Sequence, residues 1–456
     1  MQIRNLIISK RCSKVKRLPN RGNSDTINQY SCAGGMRMRI EREVPLAGSF
    51  DFVVCGGGPS GIAAAVSASR LGLRTALIEK NHFFGGMGAG GYVVPLSGFF
   101  HQGVRVAGGI GWELVQRMVQ DSAAQVELPK GHVSFHPEYL KLHSERLLRE
   151  AGVTLFPGAV LSGCCCERGS ITHVLFVQED GEKAVGGMMF ADATGSAVLC
   201  RLANAEMLPA SEKYQPMTLC FLLEGADATT QLLSGCIHHD GKTGRSVNAE
   251  LHDWLAEQPD APQFGGPWFN ALIRGNLLAV NMTRAAGDAS DPKVYAATYA
   301  ELRENAYQLV ELLRKGFPEF RNAQIAAIAP DLGIRETRRM RGRYVLTGKE
   351  LLDGVQFDDT IAFCAHPIDI HQADGNGQRL AELPAPGPIP LRCLQSVNIG
   401  NLLATGRAIS CDGEAFASLR VMATAFALGE AAGVSAWANG DARNTRVQLQ
   451  KQGAIV

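Results

Sequence analysis

Residues Asp51–Lys80, DFVVCGGGPSGIAAAVSASRLGLRTALIEK, read as a strand, a phosphate turn, a helix and a second strand ending in an acid. Phe52, Val53 and Val54 form the short apolar run of a buried parallel strand. Gly56-Gly57-Gly58-Pro59-Ser60-Gly61 satisfies G-x-G-x-x-G where that strand should end. The three glycines of the pattern do different things. Gly56 permits the tight turn, Gly58 admits a pyrophosphate to the backbone, and Gly61 lets the following helix pack closely on the sheet. The free N–H groups of that helix then face the phosphates, with Pro59 and Ser60 at its start. Ala63, Ala64, Ala65 and Ala68 give it a small-residue face, Gly72 follows its end as a cap, and Thr75–Ile78 supply the second strand. Glu79 ends that strand and Lys80 follows. A carboxylate there accepts hydrogen bonds from ribose hydroxyls and repels a 2′-phosphate, so an adenosine without that phosphate is expected. Gly86, Gly88 and Gly91 match the same glycine pattern with no strand before them and are not read as a second phosphate turn.

NAD and FAD place their ADP in the same way, so the choice between them comes from outside this unit. Asn398–Trp437, NIGNLLATGRAISCDGEAFASLRVMATAFALGEAAGVSAW, reads as a strand over Leu402–Thr405, a turn at Gly406-Arg407, a loop and a long helix rich in Ala and Gly. It resembles the C-terminal flavin motif of two-dinucleotide-binding-domain flavoproteins, and Phe190-Ala191-Asp192-Ala193-Thr194-Gly195 resembles their strand ending in A-T-G. The resemblance narrows to the FAD-dependent oxidoreductases that share an R-E-T-R-R segment. It is carried by Gly85-Gly86-Met87, Gln215-Pro216-Met217-Thr218, Gly333-Ile334-Arg335-Glu336-Thr337-Arg338-Arg339, His366-Pro367-Ile368-Asp369-Ile370-His371 and Ser418-Leu419-Arg420-Val421-Met422. These run from about residue 40 to the C-terminus in the family's order.

That resemblance implies an α/β fold: a Rossmann-like FAD-binding domain of the glutathione-reductase type with an inserted mixed α+β substrate domain. It implies noncovalent FAD and an oxidoreductase passing a hydride or two electrons between an organic substrate and the flavin. Gly86, Met87, Ala193, Thr194, Gly195, Gly406 and Arg407 join the first turn as cofactor-binding positions, and Val160 falls where family members touch adenine through the backbone. The chain departs from the family's pattern at Ser196, Ala197 and Val198, where acidic residues usually follow A-T-G, and at Arg407, where many flavoproteins have Asp.

Reduced flavin develops negative charge at N1 and the C2 carbonyl, which a helix N-terminus suits. Ser418, Leu419, Arg420 and Val421, read as opening the last long helix, are assigned to the ring; the bland alternative is that Arg420 is a surface cation. Arg335, Arg338, Arg339, Arg341 and Arg343 lie within nine residues. If extended, this segment places Arg335, Arg339, Arg341 and Arg343 on one face and Glu336 with Arg338 on the other. A guanidinium there meets FAD or a substrate carboxylate in bidentate fashion, and Arg335 and Arg338 are expected near the flavin. His366 and His371, with Asp369, supply a proton donor or acceptor; a purely structural hydrogen-bonded pair is the alternative, and no metal site is assigned. Nothing in order or spacing supports a hydrolytic triad.

At 456 residues with 46% hydrophobic content, the chain is long enough for two domains. Residues 46–200 with 385–456 are expected to form the FAD domain and 201–384 the substrate domain, with Glu382–Pro390, ELPAPGPIP, marking the return. Gly85–Gly111 reads as a long loop over the flavin. Pro137 to Gly152 bound a helix leading to strand Val153–Phe156, and Leu161–Cys166, Thr172–Val177 and Val185–Phe190 form a β-meander. Residues 1–45 read as a basic, disordered extension rather than a targeting segment, with Met36 or Met38 as an alternative start. A net charge of +1 gives no field for nucleic acid or membrane, so a small-molecule substrate is expected. Twelve cysteines without a C-x-x-C argue for a reducing cytoplasm, against a disulfide reductase and against Fe–S ligation, and Cys164-Cys165-Cys166 reads as packing. No second nucleotide fingerprint exists, so reoxidation falls to oxygen, a quinone or an electron-acceptor protein. The flavoprotein subunit of an electron-transfer complex and a non-redox FAD protein are the alternative readings.

Overall fold

Phe52, Val53, Val54 and Cys55 are fully buried, and the strand that carries them runs further back than its apolar run, over Leu46–Cys55. Its first half alternates half-buried and exposed residues, the pattern of a strand with one wet face, before the chain enters the core. The computed structural model describes residues 28–32, 35–39, 42–128, 131–227, 249–273, 275–373 and 377–456.

Around that strand the sheet is parallel. Leu46–Cys55 lies between Thr75–Ile78 and Gly181–Asp192, Thr154–Phe156 extends the Thr75 side, and Leu402–Ala404 pairs with the end of Gly181–Asp192. The first half of Gly181–Asp192 pairs antiparallel with Ser170–Gln178, which pairs with Val160–Glu167, so the expected meander is present. One long strand thus joins the meander to the nucleotide half, and the C-terminal strand returns beside it. The first helix, Pro59–Arg70, packs its small-residue face on the closing helix, Met422–Trp437. Contact is backbone-close: a Cβ at Gly429 would lie 2.0 Å from the Ser60 carbonyl oxygen, so only glycine fits there.

A second sheet, antiparallel, runs Phe264–Ala271, Leu278–Thr283, Phe221–Glu224 and Gln324–Ile328. Period-2 alternation divides its faces. Phe221, Leu223, Phe269, Val280 and Met282 pack with Leu309, Val310 and Leu313 of the helix Pro292–Gly316. Trp268, Asn270 and Asn281 point the other way.

Several expectations are corrected. Gly85–Gly111 is not one loop: it holds a short helix, Gly86–Gly90, a strand pair, Phe100–His101 with Val104–Arg105, and the start of the helix Gly109–Gln120. Glycine-rich sequence hides these because close packing, not propensity, places them; a Cβ at Gly111 would sit 2.7 Å from Phe426 Cβ. Ser418 and Leu419 do not open the last long helix. They end the short helix Gly413–Leu419, Arg420 caps it, and the extended Val421 (φ −72°, ψ 154°) starts Met422–Trp437 after a 95° bend. The R-E-T-R-R segment is not a strand, and Glu336 pairs with Arg339 rather than sharing a face with Arg338. Within the expected extension, Asn28–Cys32 and Gly35–Arg39 form an antiparallel pair, matching the strand-like alternation of Met36, Arg37, Met38 and Arg39; residues 1–27 lie outside the described residues. Cys166 is exposed, so packing accounts for Cys164, which touches the core, and not for Cys166. Among the described residues no single helix is long and apolar enough to cross a membrane.

Candidate functional site

The parallel strands end together, and the residues that follow each end line one crevice: Gly56 after Cys55, Glu79 after Ile78, Val160 beyond Phe156, Ala193 after Asp192, and Gly406 beyond Ala404. Ligands of open α/β sheets bind at this edge. The crevice opens into a cavity of about 1280 Å³ that reaches across to the second sheet. That exceeds the ~300–1,000 Å³ of single-ligand pockets and suits an extended dinucleotide with a substrate beside it.

The phosphate turn has the geometry its sequence implies. Gly56 is left-handed (φ +106°), and a Cβ there would lie 2.4 Å from the Ala193 carbonyl oxygen. A Cβ at Gly61 would lie 1.8 Å from the Gly56 carbonyl oxygen, which locks helix to strand. Among the described residues beyond its chain neighbours, a Cβ at Gly58 would come within 4 Å only of Gly86 Cα, at 3.7 Å, so its backbone faces open space. Pro59 and Ser60 line the same wall, and Gly86 and Met87 begin the short helix that touches it. Glu79 is buried, and its oxygens accept the Gly57 and Asn81 N–H groups, leaving lone pairs toward the cavity; burial raises its pKa. Lys80 pairs with Asp331 at 3.1 Å on the rim. Asp192, fully buried, accepts from the Thr194 N–H and hydroxyl (3.0 and 2.7 Å) and from Cys200 N–H (2.9 Å), shaping the Ala193-Thr194-Gly195 turn. Arg407 lies against that turn; its Nε is buried without a partner among the described residues, and burial lowers its pKa to about 10. A buried guanidinium at the Ala193-Thr194-Gly195 turn, an open backbone at Gly58 and the Glu79 carboxylate fit the ADP half of FAD.

At the far end of the cavity, three arginines face one carboxylate. Arg335 is buried, and its Nη1 donates to the Pro216 carbonyl (2.6 Å) and Thr218 Oγ1 (2.8 Å). Burial lowers its pKa to about 9, with Arg420 and Arg284 adding to the shift. Arg420 Nη2 donates to Asp369 Oδ2 at 2.8 Å, and Gln378 Nε2 donates to Asp369 Oδ1 at 2.6 Å. His371 lies between Arg284 and Asp369. Arg284 Nη2 can only donate, so His371 Nδ1 accepts (3.0 Å) and its Nε2–H donates to Asp369 Oδ2 (3.1 Å). Burial, then Arg335, pushes the His371 pKa down to about 3, so the ring is neutral with both nitrogens engaged. Asp369 is held well below the usual carboxylate range: its bonds from His371 and Arg420 outweigh the desolvation that alone would raise it.

His366 differs. Its Nδ1–H donates to the Pro367 carbonyl at 2.9 Å, so in the neutral ring Nε2 carries the lone pair, and burial lowers its pKa. The ring lines the cavity.

The structure brings Gly56, Gly58, Pro59, Ser60, Glu79, Lys80, Gly86, Met87, Val160, Ala193, Thr194, Gly195, Gly406, Arg407, Arg420, Val421, Arg335, Arg338, His366 and His371 onto one cavity. It leaves Gly61, Ser418 and Leu419 behind the wall, where the Ser418 hydroxyl donates to the His366 carbonyl at 2.5 Å. Arg339 is bound to Glu336 at 2.6 Å, and Arg341 pairs with Glu206 away from the cavity. Sequence reasoning passed over Arg284, Trp268, Asn270 and Asn281. Alternation against Phe269 and Val280 could have marked the last three; nothing local marks Arg284.

Residues 51–450 match the family of FAD dependent oxidoreductases. Among curated proteins, dihydrolipoyl dehydrogenase of Trypanosoma brucei brucei is 40% identical over 62 residues, 14% of this chain and 13% of that protein. The Rhizobium etli enzyme of the same name is 48% identical over 40 residues, 9% of this chain and 8% of that protein. The matched stretches thus span well under a sixth of these relatives. Among solved structures, a geranylgeranyl bacteriochlorophyll reductase-like protein from Thermoplasma acidophilum is 14% identical, with 89% of this chain and 82% of that one covered and a TM-score of 0.45. A flavin-dependent brominase is 13% identical, with 88% and 83% covered and a TM-score of 0.44. The family match takes in both the first phosphate turn and the closing helix, and this chain belongs to the FAD-dependent oxidoreductase family, with FAD as its cofactor.

Proposed function

We propose that the protein is a dehydrogenase of a small polar organic substrate, acting in the cytoplasm with noncovalently held FAD. Bound FAD would supply an acceptor for one hydride, that is, for two electrons in all. Gly56, Gly58 and Arg407 hold its pyrophosphate, Glu79 its ribose, and the Arg420-Val421 corner its ring end. The observation that carries the reading is His366: tautomer, burial and position make it a proton acceptor on the cavity wall, poised to take a hydroxyl or amine proton as the substrate is oxidised. His371 has no free nitrogen and positions Asp369 and Arg284 instead. Arg335 and Arg338 orient the substrate. An acceptor molecule or a partner protein removes the electrons afterwards.

The test is anaerobic mixing of the FAD-loaded protein with small polar alcohols, acids and amines, following loss of the flavin's visible absorbance. His366→Gln should slow bleaching by a compound that works on the parent by about 10²–10⁴-fold while FAD stays bound. A variant that bleaches at the parent rate removes His366 from the reaction.

A further inference from the structure

Beyond the nucleotide crevice, the floor of the cavity is one face of the second sheet. In its register Trp268 stands opposite Asn281, and Asn270 lies two residues further on the same face. Cys220 falls opposite Asn281 in the register that pairs Phe221 with Val280, and Thr218, two residues before it, receives Arg335. Trp268, Asn270, Asn281, Cys220, Thr218 and Arg335 therefore form one continuous surface, and all line the cavity.

Two chemistries meet on it. Arg335 uses only Nη1 on the protein; Nε and Nη2 have no partner among the described residues, although the residue is 8% exposed. A buried guanidinium with one edge free is a two-pronged donor for a carboxylate. Asn270, 3% exposed, has its amide orientation settled by its neighbour: Nδ2 donates to the Val94 carbonyl at 3.1 Å, which can only accept, so Oδ1 is the atom without a partner. Asn281 Oδ1 is likewise buried and unpartnered among the described residues. A buried acceptor left unmade is costly, and two on one face call for a ligand that donates.

We propose that this surface binds a carboxylic acid bearing hydroxyl groups, its carboxylate on the free edge of Arg335 and its hydroxyls on Asn270 and Asn281 Oδ1. This rests on the dehydrogenase reading only for what happens next; the binding stands by itself. An ammonium could also donate to the two oxygens. Among the described residues, however, Asp369 is the one carboxylate that Arg284, Arg335 and Arg420 share, and the local field is positive, so a neutral hydroxyl is favoured over a cation.

The experiment is calorimetric titration of the FAD-loaded protein with gluconate, sorbitol, hexanoate and norleucine, recording flavin absorbance alongside. Gluconate should bind about tenfold or more tighter than sorbitol, which lacks the carboxylate, and than hexanoate, which lacks the hydroxyls. Arg335→Lys should weaken gluconate about tenfold and leave sorbitol unchanged, because Lys keeps the charge but not the fork. If that variant does not fold, Asn281→Ala serves: it should weaken gluconate and not hexanoate. Sorbitol or hexanoate matching gluconate, norleucine binding tightest, or no gluconate binding would each overturn the proposal. Binding without flavin bleaching would leave this site in place and count against the dehydrogenase reading alone.

Discussion

Glu430 lies in the middle of the closing helix, 2% exposed, with its Oε2 accepting the Ile110 N–H at 3.0 Å where the helix Gly109–Gln120 begins. Room for the carboxylate exists because residue 109 is glycine: a Cβ there would lie 1.9 Å from Oε2. The helix start, the Ile110 hydrogen bond and Arg70 favour the charged form, while Glu113 and burial oppose it. Burial wins and raises the pKa from 4.5 to about 7. A raised carboxyl pKa means that the folded chain holds its proton more tightly than the unfolded one. The group's stability contribution is full below pH 4.5 and is lost as pH climbs through about 7. At ~1.36 kcal/mol per unit, the penalty above that pH is about 3 kcal/mol. Glu430→Gln keeps an acceptor for Ile110 and removes the ionisation, so it should stabilise the protein by about 3 kcal/mol at pH 8 and hardly at all at pH 4.5. With an unfolding entropy of ~2.1 cal/mol/K per residue, this is a melting-temperature gain of about 3 °C for the whole chain. Thermal melts of parent and variant at the two pH values measure it. A variant melting at or below the parent at pH 8 would show that the buried carboxylate carries no such penalty.

Gly58→Ala should leave the melting temperature of the FAD-free protein within about 2 °C, since among the described residues its Cβ meets only Gly86 Cα at 3.7 Å, yet cut FAD affinity about tenfold or more in a fluorescence titration. Arg339→Ala should cost ~3–5 kcal/mol in urea unfolding, because it strips Glu336, 5% exposed, of its ion pair; a loss under ~1 kcal/mol would mean that Ser211 and the Gln215 N–H suffice. Substrate oxidation should hold steady from pH 8 down to pH 7 and fall only below pH 6.5, where His366, its pKa lowered by burial, gains a proton; a profile that falls from pH 8 would assign the base elsewhere. Arg335→Ala should weaken substrate oxidation more than FAD retention, and equal activity would remove Arg335 from the site.

Much of the nucleotide half is legible because its signals are local. The period of Phe52–Val54, the spacing of Gly56, Gly58 and Gly61, and the acid at Glu79 lie within thirty residues, and the close packing expected at Gly56 and Gly61 is present, where a Cβ would lie 2.4 and 1.8 Å from a carbonyl oxygen. The corner at Arg420-Val421 is not legible, since a 95° bend between two helices is set by what they pack on, and the sequence reads straight through it. The arginine run misleads for a similar reason. Alternation presumes a strand, whereas the segment is held residue by residue: Arg335 by Thr218, Thr337 by the Gly195 carbonyl, Arg339 by Glu336 and Met340 by the Ala408 carbonyl. Arg284 and His371 meet across 87 residues of chain, a distance over which no periodicity speaks. Both histidines could be named from the sequence, but their roles could not. Only the neighbours' donor and acceptor character separates the open His366 from the closed His371.

FAD held without a covalent bond in the crevice at the ends of the parallel strands would leave the chain on denaturation. The most direct test is the visible absorption spectrum of the purified protein, before and after heat release of its cofactor. Noncovalent binding predicts flavin bands that pass wholly into the supernatant as FAD. A colourless protein that takes up no added FAD, or flavin that stays with the precipitated chain, would contradict it.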